Sequence, residues 1–553
     1  MTVQIASDLN IPYSDAVSRF DIHEALSDLG MDGGGANAAE ICCTRRSHDP
    51  ARLALRHRAP GGETRDWTFA ELDRLSSRFA GVLRDLGVSK GDSVAGLLPR
   101  TPELLITILA AWRLGAVYQP MFTAFGPKAI EHRLTLADTR VVVTDASNLS
   151  KLAELDTSAA IVTVGAAASE TTKDFWSAIE NQAGDIALVP LDLDDPFLMM
   201  FTSGTTGLPK PLLIPLRAIA GFVGYMRYAV GLRQDDRFWN LADPGWAYGL
   251  YYSITGPLAM GVTIVLHEGA FSVDSAYDTI VEYEITNLAG SPTAYRQLLA
   301  AGPEKAARIL GQLRVVSSAG EPLNPEVIRW FDHHLDVKIY DHYGQTELGM
   351  VLCNHHGLTH PVRIGSAGFS VPGHRVVVLS TEDRELGVGE PGELALDRAQ
   401  SPLMWFTGYL GLETPALSNA YFRSGDMAEM NADGSISFVG RNDDVITTSG
   451  YRVGPFDVES ALIEHPAVME SAVIGKPDPE RTEIIKAFVV LNSGYEQSPA
   501  LAEELRRHVR SRLSAHAYPR EIAFVADLPK TPSGKVQRFL LRQQESAKQD
   551  TKA

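Results

Sequence analysis

Cysteine is scarce: Cys42, Cys43 and Cys353 are the three thiols of a 553-residue chain. That is too few for a disulfide framework or a four-thiolate metal site, and the adjacent pair reads as reduced thiols of a reducing compartment. Positive charge is also in deficit. Fifty Lys and Arg against 68 Asp and Glu leave a formal charge of -18, so no basic field gathers nucleic acid or an anionic membrane. An anionic ligand must be met by local donors instead. No long apolar run exists: the stretch from Leu104 to Trp112 is broken by Arg113, far short of the ~20 residues that span a bilayer. The start, Met1 to Asp8, lacks the basic residues and apolar block of a signal peptide. A cytoplasmic location without a membrane partner is the expectation. Missing too are a Gly-x-Ser-x-Gly nucleophile elbow, a Gly-Lys-Ser/Thr Walker loop and any internal repeat.

What is present is an ordinary globular composition, 45% apolar and 21% charged. The length exceeds one core and implies two to four domains at about 100–200 residues each. The first forty residues, with Gly33-Gly34-Gly35, read as a leader laid over the surface. Thr68 and Glu71 fit a capping box. Short apolar runs at 92–98, 140–144, 161–164, 196–201, 262–266 and 313–317 read as buried parallel strands, with helical patterns between them. Past Pro391 the composition changes, and Gly, Asp and Asn between Tyr421 and Tyr451 point to hairpins. Pro455 is placed to open a helix, 500–513 reads as another, and 471–474 and 487–491 as strands. The tail after Gln543 reads as frayed. The expected fold is α/β. A large N-terminal domain, 1–442, has mostly parallel sheets flanked by helices plus a β-rich subdomain, and 443–553 forms a small mobile α+β domain.

Four motifs follow one another. Thr202-Ser203-Gly204-Thr205-Thr206-Gly207, closed by Lys210, offers backbone N–H groups, four hydroxyls and a cation to an anion. Asp341-His342-Tyr343-Gly344-Gln345-Thr346-Glu347 is dense in donors and acceptors. Gly440-Arg441-Asn442-Asp443-Asp444 precedes Ser449-Gly450-Tyr451-Arg452, and Ser533-Gly534-Lys535 lies near the end. Each alone has an ordinary meaning: a solvated turn, a packed tyrosine, a surface acid, a solvated lysine. His333-His334 and Cys353-Asn354-His355-His356 match no zinc spacing and read as ordinary histidines.

Together, from about Phe20 to Arg542, the motifs resemble the adenylate-forming superfamily of acyl-CoA synthetases, luciferases and peptide-synthetase adenylation domains. Leu114 to Pro120, Asp243 to Gly249 and Gly320-Glu321-Pro322 resemble the acetyl-CoA and medium-chain acyl-CoA synthetase branch. The resemblance implies a ligase that activates a carboxylic acid with Mg2+ and ATP and passes it to CoA. Thr202 to Lys210, with Thr206 as a catalytic group, would hold the β- and γ-phosphates. Gly320, Glu321, Pro322, Asp341, His342 and Tyr343 would frame the adenine, with Gly344 and Gln345 beside the nucleotide. Thr346 would meet the α-phosphate, Glu347 the metal, and Asp426 the ribose diol, opposite Arg441. Asp443 would be the hinge, Ser449 and Gly450 the CoA tunnel, Arg452 a phosphate contact and Lys535 the adenylation lysine. Trp246, Ala247, Tyr248, Ala319 and Gly344 would line the acyl pocket. A tryptophan replaces the glycine in acetate-specific relatives, so Gly344 implies an open pocket and an acid longer than propionate. The competing functions are an adenylation enzyme loading a carrier phosphopantetheine and a non-catalytic nucleotide sensor. A homo-oligomer is compatible with every reading.

Overall fold

The computed structural model describes residues 10–550, apart from 166–168, 170, 171, 203–208, 418, 442, 443, 449, 450, 479, 480, 514–516 and 531–535; for 451, 452 and 546–550 it describes backbone alone. The expected strands of the large domain are present with ends moved by one or two residues, while 471–474 and 487–491 are parts of the longer strands Val468–Asp478 and Thr482–Leu491. A seven-stranded sheet runs in the order 210–215, 196–202, 117–120, 93–97, 139–145, 160–164, 172–174. All its pairs are parallel except that of Lys210–Pro215 with Pro196–Thr202. Ser93–Leu97 is buried along its whole length, as a central strand covered on both faces must be. Helices Phe69–Asp85 and Pro102–Arg113 lie against one another beside it. The first starts from the expected capping box: Thr68 Oγ1 accepts from the Glu71 N–H at 3.2 Å, and Glu71 accepts from the Thr68 N–H at 2.9 Å.

A six-stranded sheet runs 238–240, 287–290, 315–319, 339–345, 349–353, 369–370. Its first four strands are parallel and its last two antiparallel. The strand expected at 262 begins at Ile264, because Gly261 takes a left-handed φ of 74° to end the preceding helix. The β-rich subdomain is a four-stranded antiparallel sheet of 376–379, 392–397, 421–430 and 436–441. The C-terminal α+β unit carries strands 446–448, 451–453, 468–478, 482–491 and 521–524. Apolar clusters lie on each side of its sheet, one around Val458, Leu462 and Leu505 and one around Ile474, Phe488 and Leu541. Pro455 opens helix Pro455–Ile463, and the second expected helix is Pro499–Arg512.

Two expectations about the ends are corrected. Residues 10–28 run over the surface, with Ala16 alone buried, but from Leu29 the chain enters the core rather than lying on it. Leu29, Met31, Ala38 and Ala39 are buried, and Asn37 Nδ2 donates to Trp112 O at 2.7 Å and Val189 O at 2.8 Å. Gly34 and Gly35, at φ 71° and 74°, turn the chain inward there. Nor does order stop at Gln543. Helix Arg538–Asp550 continues, and the 5% exposed Glu545 takes a 2.6 Å hydrogen bond from Lys486 Nζ.

Candidate active site

Strand Val315–Ala319 ends in the Gly320-Glu321-Pro322 turn, and Ile339–Gln345 runs parallel beside it, pairing Ser318 with Asp341 and Ala319 with His342. Carboxyl ends of neighbouring parallel strands open a ligand crevice at this edge. Gly320 has φ 98°, and a Cβ there would meet nothing within 4 Å, so backbone conformation is what requires glycine. Glu321 is held sideways. Thr293 Oγ1 lies 3.2 Å from both its oxygens, and Arg296 Nη2 donates to one of them at 3.2 Å.

Asp341 Oδ2 accepts from the Leu323 N–H at 3.3 Å, while Oδ1 is buried without a hydrogen-bond partner among the described residues. Burial pushes this carboxyl from an ordinary 3.8 up to about 8. The folded protein therefore binds the proton more tightly than the unfolded chain. The resulting stability is present at low pH and is lost as pH rises towards 8. Asp341→Asn is expected to raise Tm more at pH 8 than at pH 5. An equal change at both would show that the carboxyl does not titrate in this window.

His342 turns into the core. Its Nε2 lies 2.9 Å from Asn354 O and must donate, which leaves Nδ1 to accept from the Tyr225 hydroxyl at 2.8 Å. Burial holds its pKa down to about 3, so the ring is neutral and supports the crevice from behind rather than facing a base. Tyr343 donates to Asp426 Oδ2 at 2.5 Å, and Gln345 Nε2 donates to the same oxygen at 3.0 Å and to Ser424 O at 2.9 Å. Burial, then the Asp426 charge, pushes the Tyr343 phenol well above its usual value and keeps it a donor. One carboxylate, 6% exposed, thus ties the six-stranded sheet to the β-rich subdomain. Arg441 is its cross-strand partner.

Glu347 is 7% exposed, and its Oε1 accepts from the Tyr409 hydroxyl at 2.7 Å. Lys210 Nζ sits 5.1 Å from the centre of the Tyr409 ring, and Lys210 pairs with Thr202 in the antiparallel strands on either side of the first motif. Tyr409 therefore joins the metal candidate to that motif. No sequence pattern marks it, nor Tyr225; both meet their partners only through tertiary folding. Thr346 contributes its carbonyl to the Tyr251 hydroxyl at 3.2 Å.

At the expected acyl wall, Trp246 packs 5.5 Å from both Phe122 and Phe125, and Tyr248 reaches the Tyr225 hydroxyl at 3.4 Å. Ala319 is 1% exposed. At Gly344 a Cβ would lie 2.2 Å from Gly349 O and 2.7 Å from Met350 Cα on the paired strand, so close backbone approach is a second reason for glycine there.

Residues 44–410 match the AMP-binding enzyme family, and 457–535 match the AMP-binding enzyme C-terminal domain. The chain belongs to the AMP-binding enzyme family. It is 38% identical to acetyl-coenzyme A synthetase of Bacillus subtilis over 97% of this chain and 96% of that one. A solved acyl-CoA synthetase from Brucella canis shares 57% identity at a TM-score of 0.80, covering 98% of this chain and 100% of that one. An anthranilate CoA ligase in complex with anthranoyl-AMP has 28% identity and a TM-score of 0.85, covering 95% and 99%. Within the family this chain is an acyl-CoA synthetase, a ligase whose substrates are a carboxylic acid, ATP and CoA.

Several of the expected site residues lie outside the described part: Ser203, Gly204, Thr205, Thr206, Gly207, Asp443, Ser449, Gly450 and Lys535. Arg452 is described by its backbone, which pairs with Thr447. Among the described residues no helix is long and apolar enough to cross a membrane, and no group of three or more His, Cys, Asp and Glu is arranged to hold a metal. The single carboxylate of Glu347 still suits Mg2+, which takes few protein ligands and fills its octahedron from phosphates and water.

Proposed function

We propose that the enzyme activates a carboxylic acid longer than propionate, of short to medium chain, as an acyl-adenylate with Mg-ATP and transfers the acyl group to CoA. The observation that carries this reading is the Asp426 carboxylate, an acceptor-only group braced by Tyr343 and Gln345 beside the Gly320 turn. It suits a ribose diol, with adenine against Tyr343 and the buried Asp341. Arg441 approaches from the neighbouring strand, and Thr346 serves the α-phosphate. Thr202 to Lys210, with Thr206, takes the β- and γ-phosphates. Mg2+, held by Glu347, would supply charge neutralisation on the phosphates.

The acid's carboxylate oxygen attacks the α-phosphorus in line. A new O–P bond forms while the bond to the bridging oxygen of pyrophosphate breaks. The protein positions the two anions and offsets their charge, and supplies no nucleophile. Lys535 bridges the carboxylate and the α-phosphate. Rotation at Asp443, where 1–442 gives way to 443–553, then withdraws Lys535 and brings Ser449, Gly450 and Arg452 to the site. The CoA thiolate attacks the acyl carbon: C–S forms, C–O breaks, and AMP leaves.

The length preference rests on Gly344, Ala247 and Ala319 between Trp246 and Tyr248. Each buried CH2 of substrate contributes ~0.8 kcal/mol, which grades acids without selecting one. Pyrophosphate exchange into ATP is expected to depend on added acid, to peak beyond propionate, and to be followed by CoA consumption. A maximum at acetate would overturn the length assignment; exchange without CoA consumption would favour loading of a carrier phosphopantetheine.

A further inference from the structure

The interior of the C-terminal unit holds charges that neither half-reaction uses. Glu459, on helix Pro455–Ile463, is 6% exposed, and its Oε1 accepts from the Val473 N–H at 2.7 Å. Arg538, the first residue of helix Arg538–Asp550, donates through Nη2 to both Glu459 oxygens at 2.9 and 2.8 Å. The Arg538 Nη1 lies 3.6 Å from Asp444 Oδ2. Arg542, one turn further along the same helix, donates to Asp444 Oδ1 at 2.6 Å. Asp444 is 9% exposed. Three separate segments of the C-terminal unit are thus fastened by one set of ion pairs, in which two part-buried arginines meet two buried carboxylates.

Buried ion pairs are a poor source of net stability, because desolvation offsets the attraction and apolar side chains would pack as well. What an arginine forked onto a carboxylate supplies is direction, since the two planar groups fix distance and angle together. The chain positions of these four residues are informative. Asp444 follows Asp443, the proposed hinge, and Arg538 follows Lys535 by one helical turn of sequence. Asn324, just past the Gly320-Glu321-Pro322 turn, donates through Nδ2 to Ser460 Oγ at 3.0 Å, and Ser460 follows Glu459 on its helix.

We propose that Arg538 and Glu459, with Arg542 and Asp444, are positioning residues for adenylation: they clamp the helix after Lys535 to the segment after the hinge, so that rotation moves the lysine as part of one rigid body. The proposal rests on the roles given above to Lys535 and Asp443. It separates the half-reactions, because adenylation needs the lysine in place and attack of CoA on a finished acyl-adenylate does not.

The test measures the two half-reactions separately, as acid-dependent pyrophosphate exchange and as thioester formation from chemically prepared acyl-AMP. The variants are Arg538→Met, Arg538→Lys and Glu459→Gln, each checked for fold by circular dichroism and thermal denaturation. Misplacing a catalytic group by about 1 Å costs on the order of 100-fold. Arg538→Met and Glu459→Gln are therefore expected to slow exchange by roughly 10- to 100-fold and to leave thioester formation within about twofold. Arg538→Lys, which keeps the charge without the fork, should recover part of the loss. Folded variants in which both half-reactions fall equally, or neither falls, overturn the proposal. So does loss of fold in both Arg538→Met and Glu459→Gln, which would assign the network to stability alone. A wild-type enzyme without exchange activity would instead sink the adenylation reading, and the clamp with it.

Discussion

Lys535→Ala is expected to lower acid-dependent pyrophosphate exchange by about 10²- to 10³-fold, the usual cost of removing one preorganised group from developing transition-state charge. The reasoning is electrostatic. The incoming carboxylate and the triphosphate repel each other, and the chain carries a net charge of -18 with no basic field to offset them. A single ammonium bridging the two anions therefore has a large differential effect on the transition state. ATP binding, assigned to the Thr202–Lys210 segment, Asp426 and the adenine turn, should change far less, so kcat falls and KM for ATP stays near its wild-type value. Thioester formation from supplied acyl-AMP should persist. A variant that keeps full exchange activity would remove Lys535 from the mechanism; a wild-type protein that binds ATP without exchange would be a nucleotide sensor.

Gly344→Ala is expected to destabilise the protein by about 3 kcal/mol, the upper part of the range for forced overpacking. The added methyl meets Gly349 O and Met350 Cα, which are backbone atoms of the paired strand and cannot swing aside as a side-chain tip would. The strand must shift, and the Tyr343 and Gln345 contacts with Asp426 stand beside it. Thermal or denaturant unfolding of wild type and variant measures the loss. Gly344→Trp meets the same backbone atoms, and a folded tryptophan variant should prefer shorter acids; a folded variant with an unchanged length preference would remove Gly344 from the pocket.

How much was legible follows from chain distance. Strands at 93–97, 139–145 and 315–319 were readable because burial on both faces leaves an apolar run. The capping box at Thr68 was readable because its two hydrogen bonds close within four residues. Motif residues were legible as sets, since Asp341 to Glu347 lie in succession. What each does in the fold was less legible. His342 sits within its motif but turns its ring to Tyr225 and Asn354, far apart in the chain. Tyr409 meets Glu347 from the β-rich side with no pattern around it. Gly344 looked like an absence of bulk, and only the position of the paired strand makes it a requirement of backbone packing. The N-terminal glycines misled for the same reason: their turns feed Ala38 and Ala39 into a core whose other walls lie elsewhere in the sequence.

The most direct measurement uses an acid labelled with ¹⁸O in its carboxylate, turned over with ATP and CoA, and follows the label by mass spectrometry. An acyl-adenylate intermediate predicts one ¹⁸O atom in the phosphate of each AMP formed, with pyrophosphate unlabelled. Label recovered in inorganic phosphate alongside ADP, or AMP formed without label, would contradict the account.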